Sequence, residues 1–170
     1  PPRSTLFPYT TLFRSTPFGA SGLASYAVSA VDCALWDLKG KILQRPVYEL
    51  LGGPQKEKIF CYASGFDQEW YMELGFKATK LFCPYGPEHG MEGLRKLEEM
   101  VANTRQQIGD NIELMLDAWT TFDVEFTVRL AEVLKPYKLK WIEDYISSED
   151  LVGYQAVRQR IPWQTLASGE

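Results

Sequence analysis

The stretch that decides the fold is "LMLDAW" (114–119), an apolar run that ends in a carboxylate, Asp117. Desolvating an Asp at the end of a hydrophobic strand is costly unless something positive meets it. The pattern recurs twice. "LKWIEDY" (139–145) ends an apolar run at Glu143, and "QTLASGE" (164–170) ends one at Glu170. The steps between the three acids are 26 and 27 residues, enough for one strand, one helix and their connections. Helical patterns fill the gaps. "DVEFTVRLAEVLK" (123–135) carries Phe126, Leu130, Val133 and Leu134 on one face behind a capping Asp123. "SSEDLVGYQAVRQRI" (147–161) opens with a capping-box-like Ser147-x-x-Asp150 and lines up Tyr154, Val157 and Ile161.

The alternation extends upstream. "KIFCYAS" (58–64) and "KATKLF" (77–82) have strand character, "QEWYMELG" (68–75) is a short helix stopped by Gly75, and "CPYGPEHG" (83–90) is a Pro/Gly loop. "MEGLRKLEEMVANTRQQIG" (91–109) is an amphipathic helix with Leu94, Leu97, Val101, Thr104 and Ile108 along one side. "IELML" (112–116), "LKWI" (139–142) and "WQTLAS" (163–168) are further strands. Strands alternating with helices predict right-handed βαβ units and a parallel sheet. Near-constant steps suit a closed (β/α) barrel of the TIM type, in which the C-terminal ends of the strands form the active site. A whole barrel has eight strands and about 250 residues. Five strands are counted here, so the expected fold class is α/β, a partial TIM-type barrel.

Composition narrows the function classes. Eighteen basic and 22 acidic residues give a net charge of −4, and the basic residues do not cluster, which argues against nucleic-acid and anionic-membrane partners. No apolar run reaches the roughly 18 residues of a membrane span. Cys33, Cys61 and Cys83 lack metal-ligand spacing and read as reduced, partly buried thiols of a cytoplasmic protein. A Cys61–Cys83 disulfide would require neighbouring strands. Residues 1–15, "PPRSTLFPYTTLFRS", repeat TLF without helical or strand period. They resemble the translation of a sequencing adapter and are set apart as a non-native artefact.

Three carboxylates aimed at one point repel one another and favour protonation. A hard cation such as Mg²⁺ relieves that, because it prefers oxygen ligands and keeps positions open for water and substrate. The alternative is three unrelated acids at helix N-termini, where acids are common. His89, the only histidine, sits in the Pro/Gly loop, where a loop-packing role competes with substrate contact. Trp119 either lines a pocket or packs as a core aromatic.

A helix over 24–51, with Val28, Val31, Leu35 and Leu38 at helical spacing, precedes the strands and closes in "RPVYELLGG" (45–53), where Pro46 starts a new turn. "AVSAVDCALWDLKGKILQRPVYELLGG" (27–53), "GFKATK", "LMLDAW", "KWIED" and "SGE" together resemble the enolase superfamily in its mandelate-racemase-like branch. The resemblance covers residues 20–170. It implies Asp117, Glu143 and Glu170 as Mg²⁺ ligands, residues 16–53 as the end of an α+β cap domain with its linking helix, and residues 54–170 as the N-terminal part of a barrel cut after its fifth strand. Many branch members carry Lys-x-Lys on the second strand, with the second Lys as base; here Lys80 is followed by Phe82. With Asp117-Ala118-Trp119 and "YGPEHG", the chain is similar to the L-rhamnonate dehydratase group of acid-sugar dehydratases.

That resemblance implies a small-molecule sugar-acid substrate, with Lys80 on its carboxylate or paired to the metal carboxylates. It implies an enediolate intermediate, a 2-keto-3-deoxy product, and a His–Asp acid/base dyad beyond Glu170. No catalytic acid or base is assigned within the chain, which is expected to be inactive by itself. The intact protein is expected to be a homo-oligomer. The alternatives are another dehydratase or racemase of the superfamily, or a truncated product with no catalytic role.

Overall fold

The computed structural model describes residues 22–169; residues 1–15 and Glu170, singled out above, lie outside the described residues. By its contacts the chain divides into two compact units, one running to Ile59 and one beginning at Phe60. The sequence had suggested a boundary after residue 53.

The first unit contains α1 (Leu23–Leu43) and α2 (Val47–Leu50). Within the helical stretch expected over 24–51, the long helix ends at Leu43 and, as expected, a new turn starts at Pro46. Gln44 turns left-handed (φ 51°) and Pro46 fixes an extended start for the next turn. Gly40 is the buried residue of α1, and a Cβ there would stand 2.8 Å from the Arg45 carbonyl oxygen. Val31 and Leu38, on the expected apolar face, are about half exposed.

The second unit runs β1 (Ala63–Ser64), α3 (Gln68–Glu73), β2 (Ala78–Phe82), α4 (Gly90–Ile108), β3 (Glu113–Asp117), α5 (Val124–Leu134), β4 (Ile142–Glu143), α6 (Leu151–Arg160) and β5 (Leu166–Ala167). Its five strands form one sheet in chain order, every pair parallel. That is a partial TIM-type (β/α) barrel. β1 and β4 are only two residues long, shorter than "KIFCYAS" and "LKWI" suggested. β1 is an edge strand with one neighbour, and β4 ends where Asp144 turns left-handed (φ 43°).

Alternation along the strands sorts the residues into two layers. Leu81, Leu116, Ile142 and Leu166 are register partners and pack outward against Leu94, Leu97 and Val101 of α4, Leu130 and Leu134 of α5, and Val157 of α6. The other face carries Lys80 opposite Met115, then Phe82, Asp117, Glu143 and Ala167 at one level. The Asp123 carboxylate accepts from Phe126 N (2.7 Å) and starts α5 as expected. Asp150, rather than Ser147, caps α6, accepting from Gly153 N (2.8 Å). The cysteines form no disulfide, and Cys33 and Cys61 are exposed rather than partly buried. Among the described residues no helix is long and apolar enough to cross a membrane.

Where β3 and β4 begin, one side chain gathers the connections. The Arg105 guanidinium donates to the carbonyls of Gly109 (2.9 Å), Ile112 (2.7 Å) and Tyr137 (3.0 Å). Hydrogen bonds from a charged donor contribute about 1.5–3 kcal/mol each, and orphaned carbonyls add a desolvation cost. Arg105→Ala is expected to lower stability by about 3 kcal/mol in urea unfolding. Arg105→Lys should recover little of it, because a point ammonium cannot fork to three acceptors; full recovery by Lys would disprove this role.

Candidate metal centre

β3 ends in Asp117 and β4 in Glu143, and the two are register partners. Side chains at one level of adjacent strands share a face about 4.8 Å apart, so both carboxylates are forced to the same side. Lys80 lies two residues before Phe82, the register partner of Asp117, and so projects from the same face one layer below. Its ammonium stands 2.9 Å from Asp117 Oδ2 and 2.5 Å from Glu143 Oε1. The backbone N–H of Trp119 donates to Asp117 Oδ1 (3.0 Å), and the Trp141 indole N–H donates to Glu143 Oε2 (2.7 Å). All four oxygens of the pair thus have donors. Lys80 and Asp117 are 7% and 8% exposed, so these contacts replace water almost completely.

The Lys80 ammonium feels opposing forces. Burial is the largest and pulls its pKa down, but the hydrogen bonds and charges of Glu143 and Asp117 outweigh it and hold the pKa above the ordinary lysine value. The Tyr62 ring, 5.6 Å from Nζ, faces the same cation and packs edge-on against Trp141.

The third carboxylate of the described cluster is one that reading the sequence missed. Asp144 joins Asp117 and Glu143, each offering an oxygen within 4.8 Å of the others. Consecutive strand residues point to opposite faces, so regular alternation would turn Asp144 away from Glu143. The left-handed turn at Asp144 breaks that rule. Asp is one of the few residue types that enter this conformation cheaply, so the "ED" dipeptide at a strand end is the only sequence signal for it. The donor set is all carboxylate oxygen, which fits a hard divalent cation and not a soft one. Glu170, the third ligand expected from the sequence, lies outside the described residues.

The remaining sequence candidates separate. Trp119 is 68% exposed and borders a cleft of about 360 Å³ with Phe82, Cys83, Asp117, Ala118 and Thr121, so it does not pack as a core aromatic. The Cys83 thiol in that cleft is pushed up in pKa by burial and then by the Asp117 charge, which keeps it neutral. His89 is held within its own loop. Its Nδ1 accepts from Gly86 N (3.2 Å), and its ring packs edge-on against Tyr85.

Comparison with known proteins agrees with this fold. A family model described as "Enolase C-terminal domain-like" matches residues 67–170. One described as "Mandelate racemase / muconate lactonizing enzyme, N-terminal domain" matches residues 11–52, beginning within the segment set apart above. The L-rhamnonate dehydratase of Saccharopolyspora erythraea is 43% identical over 145 residues, covering 85% of this chain and 37% of that enzyme. The crystal structure of L-rhamnonate dehydratase from Gibberella zeae matches with a TM-score of 0.88 at 30% identity, over 95% of this chain and 41% of that one. A second Gibberella zeae rhamnonate dehydratase structure, complexed with Mg, matches with the same TM-score and identity over 95% of this chain and 40% of that one. The chain therefore spans about two fifths of the length of these relatives.

Lys80→Met would leave the buried Asp117 and partly buried Glu143 carboxylates facing each other with no cation between them. Breaking such a pair costs about 3–5 kcal/mol, and a loss near the lower figure is expected in metal-free unfolding. Because the folded-state pKa of Lys80 is raised, its contribution is complete below the unfolded value near 10.5 and is lost only as pH climbs through the folded one. The deficit of the variant should stay flat from about pH 6 to 9 and narrow above 10.5. A deficit that already narrows between pH 6 and 9 would refute this account.

Proposed function

The chain belongs to the enolase superfamily, in its mandelate racemase/muconate lactonizing branch, and from that premise we propose that the whole protein is an Mg²⁺-dependent hydro-lyase that dehydrates a sugar acid. The substrate class is an L-rhamnonate-like acid, and the product is a 2-keto-3-deoxy acid. The observation that carries this reading is the pair of register-matched carboxylates, Asp117 and Glu143, at the C-terminal ends of adjacent parallel strands. The L-rhamnonate dehydratase relatives support the choice of substrate, and the Mg-complexed structure supports the choice of ion.

Asp117 and Glu143 would hold the ion from one side, with Glu170 as the third ligand. When bound, the ion supplies positive charge to a substrate carboxylate, which acidifies the adjacent C–H. Lys80, already directed at the carboxylate pair, would add a second positive charge and a hydrogen bond to the same substrate group. Trp119 and Phe82 flank the cleft beside Asp117 and would shield the reacting carbon from bulk water. Phe82 stands level with Asp117 at the end of β2 and can take no proton, which disfavours lysine-based racemisation from that side. We assign the acid and base to a His–Asp pair, as the resemblance to the L-rhamnonate dehydratase group implies; the chain's one histidine, His89, is engaged in its own loop.

The test uses the full-length protein and a panel of sugar acids including L-rhamnonate, with 2-keto acid formation followed in Mg²⁺ and in excess chelator. Turnover should require the metal, and Glu143→Gln should reduce kcat/KM on the order of a thousandfold. Undiminished turnover in chelator, or a Glu143→Gln variant within tenfold of the parent, would sink the proposal.

A further inference from the structure

Asp144 does more than lie near the metal carboxylates. Its Oδ1 accepts from the backbone N–H of Gly169 at 3.0 Å, its own N–H donates to the Ala167 carbonyl at 3.0 Å, and its carbonyl accepts from Thr120 N at 2.5 Å. One residue thus ties together the loops that leave β3, β4 and β5. Its φ of 43° swings the side chain from the outward face, where alternation would send it, toward Asp117 and Glu143. At 4% exposure the carboxylate has given up its water, a cost that a fixed backbone donor offsets in part. Gly169 is the residue before Glu170, and its other neighbour is also held: Ser168 Oγ shares a 2.6 Å hydrogen bond with the hydroxyl of Tyr154 on α6.

We propose that Asp144 is a positioning residue of the metal centre: its carboxylate, set beside Asp117 and Glu143, fixes Gly169 and with it the chain leaving β5. This rests on the reading that Asp117, Glu143 and Glu170 hold the ion. The role is separable from ligation. An Asn at 144 keeps an oxygen for the Gly169 N–H but is a poor ligand for a hard cation, whereas Ala keeps neither property. Partners of this kind that orient a ligand typically change metal affinity 10–100-fold when removed.

The experiment measures Mg²⁺ affinity of the full-length parent, Asp144→Ala and Asp144→Asn by titration calorimetry, with hydrogen exchange of the Gly169 amide in metal-free protein. Asp144→Ala should weaken Mg²⁺ binding about 10–100-fold and deprotect Gly169, while Asp144→Asn should stay within about fivefold of the parent and keep the amide protected. The inference is overturned if Asn loses as much affinity as Ala, which would make Asp144 itself a ligand. It is equally overturned if Ala leaves Gly169 protected. Should the parent take up no Mg²⁺, the metal reading fails by itself, and the exchange arm still decides whether Asp144 holds Gly169. If Asp144→Ala does not fold, exchange and affinity in Asp144→Asn decide alone.

Discussion

The constraint on which the barrel half depends is the cost of keeping Asp117, Glu143 and Lys80 out of water together. Each charge by itself would be prohibitive at its burial, and together they are tolerable only if the ammonium reaches both carboxylates while their outer oxygens keep other donors. That condition fixes the register of three strands. A one-residue slip of β4 would carry Glu143 to the helix side and bring Ile142 inward, orphaning Lys80 on one side and opening the apolar layer on the other. The outward rank of Leu81, Leu116, Ile142 and Leu166 and the inward rank of charges therefore enforce the same pairing. Hydrophobic burial supplies the stability, and the charges remove the alternatives.

The two ends of the sheet divide the work. At the N-terminal ends of β3 and β4, Arg105 satisfies backbone carbonyls, a contact that holds connections together. At the C-terminal ends the backbone departs from regular geometry. Trp119 and Thr120 are both left-handed (φ 46° and 62°), as is Asp144. Non-glycine residues pay about 1–2 kcal/mol to sit there, and such outliers cluster where a site demands them. In this chain the outliers point a backbone N–H at Asp117 and a carboxylate at Gly169.

Much of this was legible in the residues. Spacings of three and four placed Leu94, Leu97, Val101, Thr104 and Ile108 of α4 correctly, and all are buried. Apolar runs ending in acids located β3 and β4, because a buried strand has to be apolar and a charge marks where it surfaces. What failed has a common cause. The two-residue extents of β1 and β4 and the turn at Asp144 are set by single backbone conformations or by what lies alongside, neither of which a periodic pattern encodes. The exposure of Val31, Leu38 and Cys33 on α1 belongs with these, since an amphipathic helix announces that it wants a partner without saying which one.

The site also shows how a sheet escapes its own alternation. A flat strand can aim only every second residue at a ligand, and neighbouring strands add one ligand each per layer. Three carboxylates around one ion would then need three strands in perfect level, although β5 pairs with Glu143 through Ala167, a residue without a donor. β5 ends at Ala167, and two positions later the backbone N–H of Gly169 is held by a side chain, the Asp144 carboxylate. A hydrogen-bonding side chain replaces the ladder at that point, coming from an adjacent strand end and accepting from a backbone N–H. Asp144, turned inward by its left-handed backbone, is that side chain.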